Sequence, residues 1–64
     1  MVKINGEQLE KAGKSVSEVL AEMGISGQRV AVEINEEIVP KAKYDETILK
    51  DEDTVEVVRF VGGG

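Results

Sequence analysis

The sequence predicts an α+β fold: a mixed four- to five-stranded sheet with one main helix packed across one face. Three observations carry that reading. Val2 and Ile4 alternate with Lys3 and run into Asn5-Gly6, a pair whose tolerance of positive φ makes it the strongest short hairpin signal. Ser15 and Glu18 stand at the spacing of a capping box, ahead of Val16, Val19, Leu20 and Met23 on one helical stripe. The second half holds three β-runs, of which the last, Thr54 to Val61, is the longest.

The elements follow in order. Val2 to Ile4 is a short strand, and Glu7 to Ala12 is its return, with Leu9 as the one large apolar residue. The helix spans Val16 to Met23, and Gly24 stops it by taking the left-handed conformation that a Cβ disfavours. In Val30 to Ile34 the residues Val30, Val32 and Ile34 share one face. Asn35-Glu36-Glu37 is a polar turn. Ile38-Val39 is a very short strand closed by Pro40, which lacks an N–H and suits a sheet edge. Lys41 to Leu49 is ambiguous, compatible with a turn of 3₁₀-helix and a short strand around Thr47 to Leu49. Lys50 to Asp53 is a charged turn. There is no internal repeat, and the only low-complexity stretch is Gly62-Gly63-Gly64. The expected division is a domain over residues 1–61 and a flexible glycine tail over 62–64.

A helix between the first hairpin and the third strand forbids a plain meander. A right-handed crossover then places the first and last strands side by side and parallel. That order is the β-grasp arrangement of ubiquitin. The expected core is Val2, Ile4, Val16, Val19, Leu20, Val30, Val32, Ile34, Val55 and Val57, whose periodicities close on one layer.

Composition narrows the function classes. In 64 residues there are 8 Lys+Arg against 13 Asp+Glu, a net charge of −5. So few positive charges build no phosphate-tracking face, which argues against nucleic acid and against a membrane surface as partner. The absence of Cys removes a thiol nucleophile and thiolate ligands, and the absence of His removes the commonest general base and metal ligand. No apolar run is long enough to span a bilayer, and Met1-Val2-Lys3 does not open a signal peptide. The expectation is a cytoplasmic protein that is not an enzyme, binds no cofactor, and takes part only in chemistry another protein performs.

Four groups of residues could carry function. Asp51-Glu52-Asp53 with Glu56 is the densest set of carboxylates, but it lacks the glycine and spaced glutamate of an EF-hand and reads as a solvated turn. Glu36-Glu37 and the pair Glu7 and Glu10 could act as acid and base only within a cleft, for which so small a domain has little room. In the last strand Val55 and Val57 are expected to face the helix, which leaves Val58 and Phe60 on the open side of the sheet as a partner-docking pair. The tail, Gly62 to Gly64, follows that strand directly. Without Cβ atoms it can thread a narrow channel and present the α-carboxylate of Gly64.

Over nearly its whole length the sequence resembles the ThiS family, the sulfur carriers of thiamine biosynthesis. The resemblance rests on Ile4 to Gly6, on Ser15 to Leu20, on Val30 to Pro40 with Tyr44 four residues later, on the Asp51 to Val57 turn and strand, and on Phe60 to Gly64. It implies that a ThiF-type adenylyltransferase uses ATP and Mg to adenylate the carboxylate of Gly64. It further implies that sulfur from a cysteine desulfurase replaces the AMP to give a thiocarboxylate, and that a ThiG-type thiazole synthase accepts that sulfur. Gly62 and Gly63 complete the tail motif. Two alternatives stay open: a sulfur carrier for molybdopterin or cysteine, and a TGS-like binding module without tail chemistry.

Overall fold

The structure is a computed structural model that describes residues 1–25 and 27–60. Its elements are β1 (Val2–Ile4), β2 (Glu7–Leu9), α1 (Val16–Glu22), β3 (Val30–Ile34), β4 (Glu37–Val39) and β5 (Thr54–Arg59), with 3₁₀ turns at Gly27–Arg29 and Lys41–Lys43. The five strands form one sheet in the order β2-β1-β5-β3-β4. β5 is thus the central strand. It runs parallel to β1, with Lys3 opposite Thr54 and Ile4 opposite Val55, and antiparallel to β3, from Val30 opposite Arg59 to Ile34 opposite Val55. The parallel pairing of first and last strands is the one expected from the sequence.

Two asparagine-led turns build the hairpins. Asn5 has φ 50° and Gly6 φ 86°, and Asn35 has φ 51° with Glu36 at 71°. Paired positive φ angles match the right-handed twist of the flanking strands. The second turn is therefore Asn35-Glu36, and Glu37, expected in the turn, is instead the first residue of β4. The return strand β2 also ends sooner than expected, at Leu9 rather than Ala12. Beyond Leu9 no second apolar residue alternates inward to hold the pairing.

The helix forms where the capping box places it. The Glu18 N–H donates to Ser15 Oγ at 3.1 Å, and the Ser15 N–H donates to Glu18 Oε1 at 3.0 Å. The two remaining free amides of the first turn find partners from afar: Val16 N–H donates to Thr47 O at 2.9 Å and Ser17 N–H to Tyr44 O at 3.1 Å. At the other end Gly24 N–H reaches Ala21 O at 3.0 Å and Ile25 N–H reaches Leu20 O at 2.9 Å, the double closure of a Schellman motif around Gly24 at φ 71°. Met23 is therefore the cap and not a helical residue.

Val16, Val19 and Leu20 of the helix pack against Val2, Ile4, Val30, Val32, Val55 and Val57 of the sheet. Ile34 is a correction to the expected core: it is only half-buried, because it closes β3 beside the exposed Asn35-Glu36 turn. Two core residues come from the ambiguous segment, Tyr44 and Leu49. That segment holds one 3₁₀ turn and a single bridge, Ser15 to Ile48, rather than a full strand. It closes over the loop before the helix, with Gly13 N–H on Leu49 O at 2.8 Å and Leu49 N–H on Lys14 O at 2.9 Å. No helix among the described residues is long and apolar enough to cross a membrane.

Candidate functional site: the open sheet face and the exit of β5

The alternation of β5 sorts its side chains. Val55 and Val57 are buried under the helix, while Thr54, Glu56 and Val58 point to the open face. Val58 is 52% exposed and Phe60, one residue past the strand, 58%. Sequence reasoning placed both there. Cross-strand register adds two residues that it missed: Ala31 lies opposite Val58, and Ile38 lies opposite Glu33 on the outermost strand. Ile38 is 71% exposed. The pairing of the two hairpins is the signal that would have found them, and it requires knowing that β3 sits between β4 and β5. Ile38, Ala31, Val58 and Phe60 thus make an apolar strip across the open face, of the kind that partners cover.

The strip is bordered by acid. Glu33 stands directly opposite Glu56, and both line a hollow with Glu36, Asn35 and Thr54. Like charges facing each other across strands weaken a sheet.

Phe60 is fixed to the sheet although β5 has ended, since its N–H donates to Arg29 O at 2.8 Å. The last described residue is thus held at a defined point at the end of the central strand. Val61, Gly62, Gly63 and Gly64 lie outside the described residues, as does the expectation of a flexible tail over 62–64.

The other carboxylate groups do structural work. Asp51 Oδ1 accepts from the N-terminal amine at 2.6 Å. That contact holds the amine's pKa above its usual value, Asp51's hydrogen bond being the largest cause. Asp53 accepts from the Lys50 N–H at 2.9 Å and from Asn35 Nδ2 at 3.0 Å, closing its own turn and tying it to the next. Among the described residues no group of three or more acidic, His or Cys side chains is placed to hold a metal ion. Glu7, Glu10, Glu36 and Glu37 are exposed. Among the described residues the one strongly displaced carboxyl is Glu22, pushed down to about 2 by hydrogen bonds from Lys11 and then Lys14. It sits on the last turn of the helix, away from the strip.

One helix across a five-stranded mixed sheet, with the last strand central and parallel to the first, makes this a β-grasp domain of the ubiquitin-like kind. The chain belongs to the ThiS family, whose model matches residues 2–64. It is 44% identical over 64 residues to the sulfur carrier protein ThiS of Thermus thermophilus, covering all of both chains. It superposes with a TM-score of 0.77 on the crystal structure of a thiamine biosynthesis protein (ThiS) from Geobacter metallireducens, at 33% identity and over 98% of this chain and 97% of that one. It is also 45% identical over 62 residues to a thiazole synthase of Paramagnetospirillum magneticum, where it matches 95% of this chain but only 19% of the relative. The chain spans about a fifth of the length of the thiazole synthases it matches.

Proposed function

We propose that this chain is a sulfur carrier for thiazole formation in thiamine biosynthesis, and that the terminal carboxylate of Gly64 bears the sulfur. The observation that carries the reading is the end-to-end match to a sulfur carrier protein, joined to a family match that runs through the glycine tail. The chain is the acyl substrate of the chemistry and not its catalyst. A carboxylate is a poor electrophile. A ThiF-type adenylyltransferase, using its own ATP and Mg, joins the Gly64 carboxylate to AMP and releases pyrophosphate. A persulfide loaded by a cysteine desulfurase then attacks the acyl carbon with its outer sulfur and displaces AMP, and a thiol cleaves the resulting acyl disulfide, leaving a thiocarboxylate and a disulfide. A ThiG-type thiazole synthase is the acceptor, a role supported by the presence of a matching domain within thiazole synthases themselves. The proposed setting is the cytoplasm, which supplies the ATP.

The strip of Val58 and Phe60 is the surface on which the adenylyltransferase docks, and Glu33 and Glu56 steer the approach to its basic surface. The tail then reaches into the enzyme while the β-grasp domain stays outside. The test is to incubate the protein with the activating enzyme, MgATP and a sulfur source, and to weigh it intact. The expected result is a mass gain of sulfur replacing oxygen, localised to Gly64. A variant that lacks Gly64 gains nothing. An unchanged mass, with an enzyme shown to be active on another carrier, overturns the reading.

A further inference from the structure

The chain has two arginines, Arg29 and Arg59, thirty residues apart in sequence. The fold brings them together at one end of the sheet. Arg59 is paired with Val30, the neighbour of Arg29, and Phe60 N–H is bonded to Arg29 O at 2.8 Å. With Ile25, Gln28, Val30 and Phe60 they line a hollow of about 340 Å³ at the exit of β5. None of these six residues is acidic. The ion pairs among the described residues use the N-terminal amine, Lys11, Lys14 and Lys43, and neither arginine takes part in one.

In a chain with thirteen carboxylates and eight cationic side chains, gathering the only guanidiniums around one hollow without a carboxylate does nothing for folding. Like charges brought together repel, so the arrangement calls for an anion from outside the chain. We infer that Arg29 and Arg59 receive carboxylate side chains of the protein that takes up the glycine tail, at the mouth of its channel. The nucleotide phosphate is the other anion in the reaction, and reach argues against it. Gly64 is the fifth residue after Arg59, up to ~17 Å away in extended chain, farther than an arginine side chain extends. The planar fork of a guanidinium suits a carboxylate, and Ile25 and Phe60 give the contact partly apolar walls. The partner then meets opposite charges at two places: Glu33 and Glu56 on the open face, and the arginines at the end of β5. A partner with the complementary pattern docks in one orientation only.

This inference rests on the carrier reading. Its test is steady-state pyrophosphate release by the activating enzyme with MgATP, as a function of carrier concentration. The double variant Arg29→Glu/Arg59→Glu is expected to raise KM for the carrier by about tenfold or more while kcat stays within about twofold, since the loss lies in docking and not in chemistry. Arg29→Lys/Arg59→Lys keeps the charge but not the fork, and is expected to fall between the two. Lys50→Glu, near the far end of β5, changes the net charge by two units against the double variant's four and gauges what charge alone does. Melting temperatures confirm folding, and Arg29→Gln/Arg59→Gln replaces the reversal if that variant does not fold. A KM for the double variant equal to that of Lys50→Glu, with the unmutated chain adenylated normally, overturns the inference alone. An unmutated chain that is never adenylated overturns the carrier reading, and the inference with it.

Discussion

Asn5 holds Val57 by both ends of its side-chain amide: Oδ1 accepts from the Val57 N–H at 2.8 Å, and Nδ2 donates to Val57 O at 3.3 Å. The side chain takes the place of a strand residue at the point where β1 turns away from β5. The same residue leads the first hairpin at φ 50°, so one asparagine forms a turn and extends a parallel ladder. Asn35 repeats the device on the other side of β5, its Oδ1 accepting from the Thr54 N–H at 3.0 Å.

Asn5→Ala removes both bonds and puts a Cβ-bearing residue without local hydrogen bonding at positive φ. The expected loss is about 2–4 kcal/mol. Asn5→Gly keeps the turn but not the bonds, and is expected to lose roughly 1–2 kcal/mol. Urea denaturation of the two variants separates the contributions. Equal losses would mean that the clasp on Val57 contributes everything and the turn nothing.

Glu36 sits at φ 71° where a glycine is the usual second residue of such a turn. Glu36→Gly is expected to raise stability by about 0.5–1 kcal/mol, the relieved strain exceeding the extra entropy of the unfolded chain. A lower melting temperature in that variant would contradict this account of the turn.

Ile48 and Leu49 are neighbours with opposite fates, 47% and 1% exposed. Leu49→Ala is expected to cost about 2–5 kcal/mol, as is Leu20→Ala in the helix facing the sheet. Ile48→Ala is expected to cost about 1 kcal/mol or less, because about half of its surface is already in water. Thermal unfolding of the three variants checks the layer assignment.

Glu22 accepts from Lys11 Nζ at 2.7 Å and from Lys14 Nζ at 2.8 Å, tying the loop before the helix to its last turn. Its carboxyl is pushed from an ordinary 4.5 down to about 2. A carboxyl lowered on folding adds stability that is fully present above its unfolded value and is lost as pH falls through the folded one. The Glu22 contribution therefore disappears between about pH 4.5 and pH 2. Glu22→Gln is expected to flatten stability across that window and leave the dependence above it unchanged. Salt screens the contribution, since these groups are exposed.

Phe60→Ala, on the open face, is expected to leave the melting temperature within a degree or two and to weaken adenylation by raising KM. Unfolding of the variant would place Phe60 in the core, against its exposure here. A normal KM would remove Phe60 from the docking surface.

The helix and its sheet contacts were legible in the sequence because their causes are local. The capping box, the stripe of Val16, Val19 and Leu20, and the alternation in Val30 to Ile34 each repeat at the period of the structure they form. Asn5-Gly6 named its own turn, and the order of elements left few ways to pair the strands. Phe60 and Val58 fell on the open face once Val55 and Val57 were assigned inward. Tertiary structure alone decided the rest. Tyr44 and Leu49 lie in a segment without periodicity, and become core only because that segment supplies the acceptors that the helix amides of Val16 and Ser17 lack. Ile38 and Ala31 join the strip, and Arg29 joins Arg59, through pairings between residues far apart in the chain. Such contacts leave no trace in local pattern, because a strand's period fixes which face a residue occupies and never which strand lies beside it.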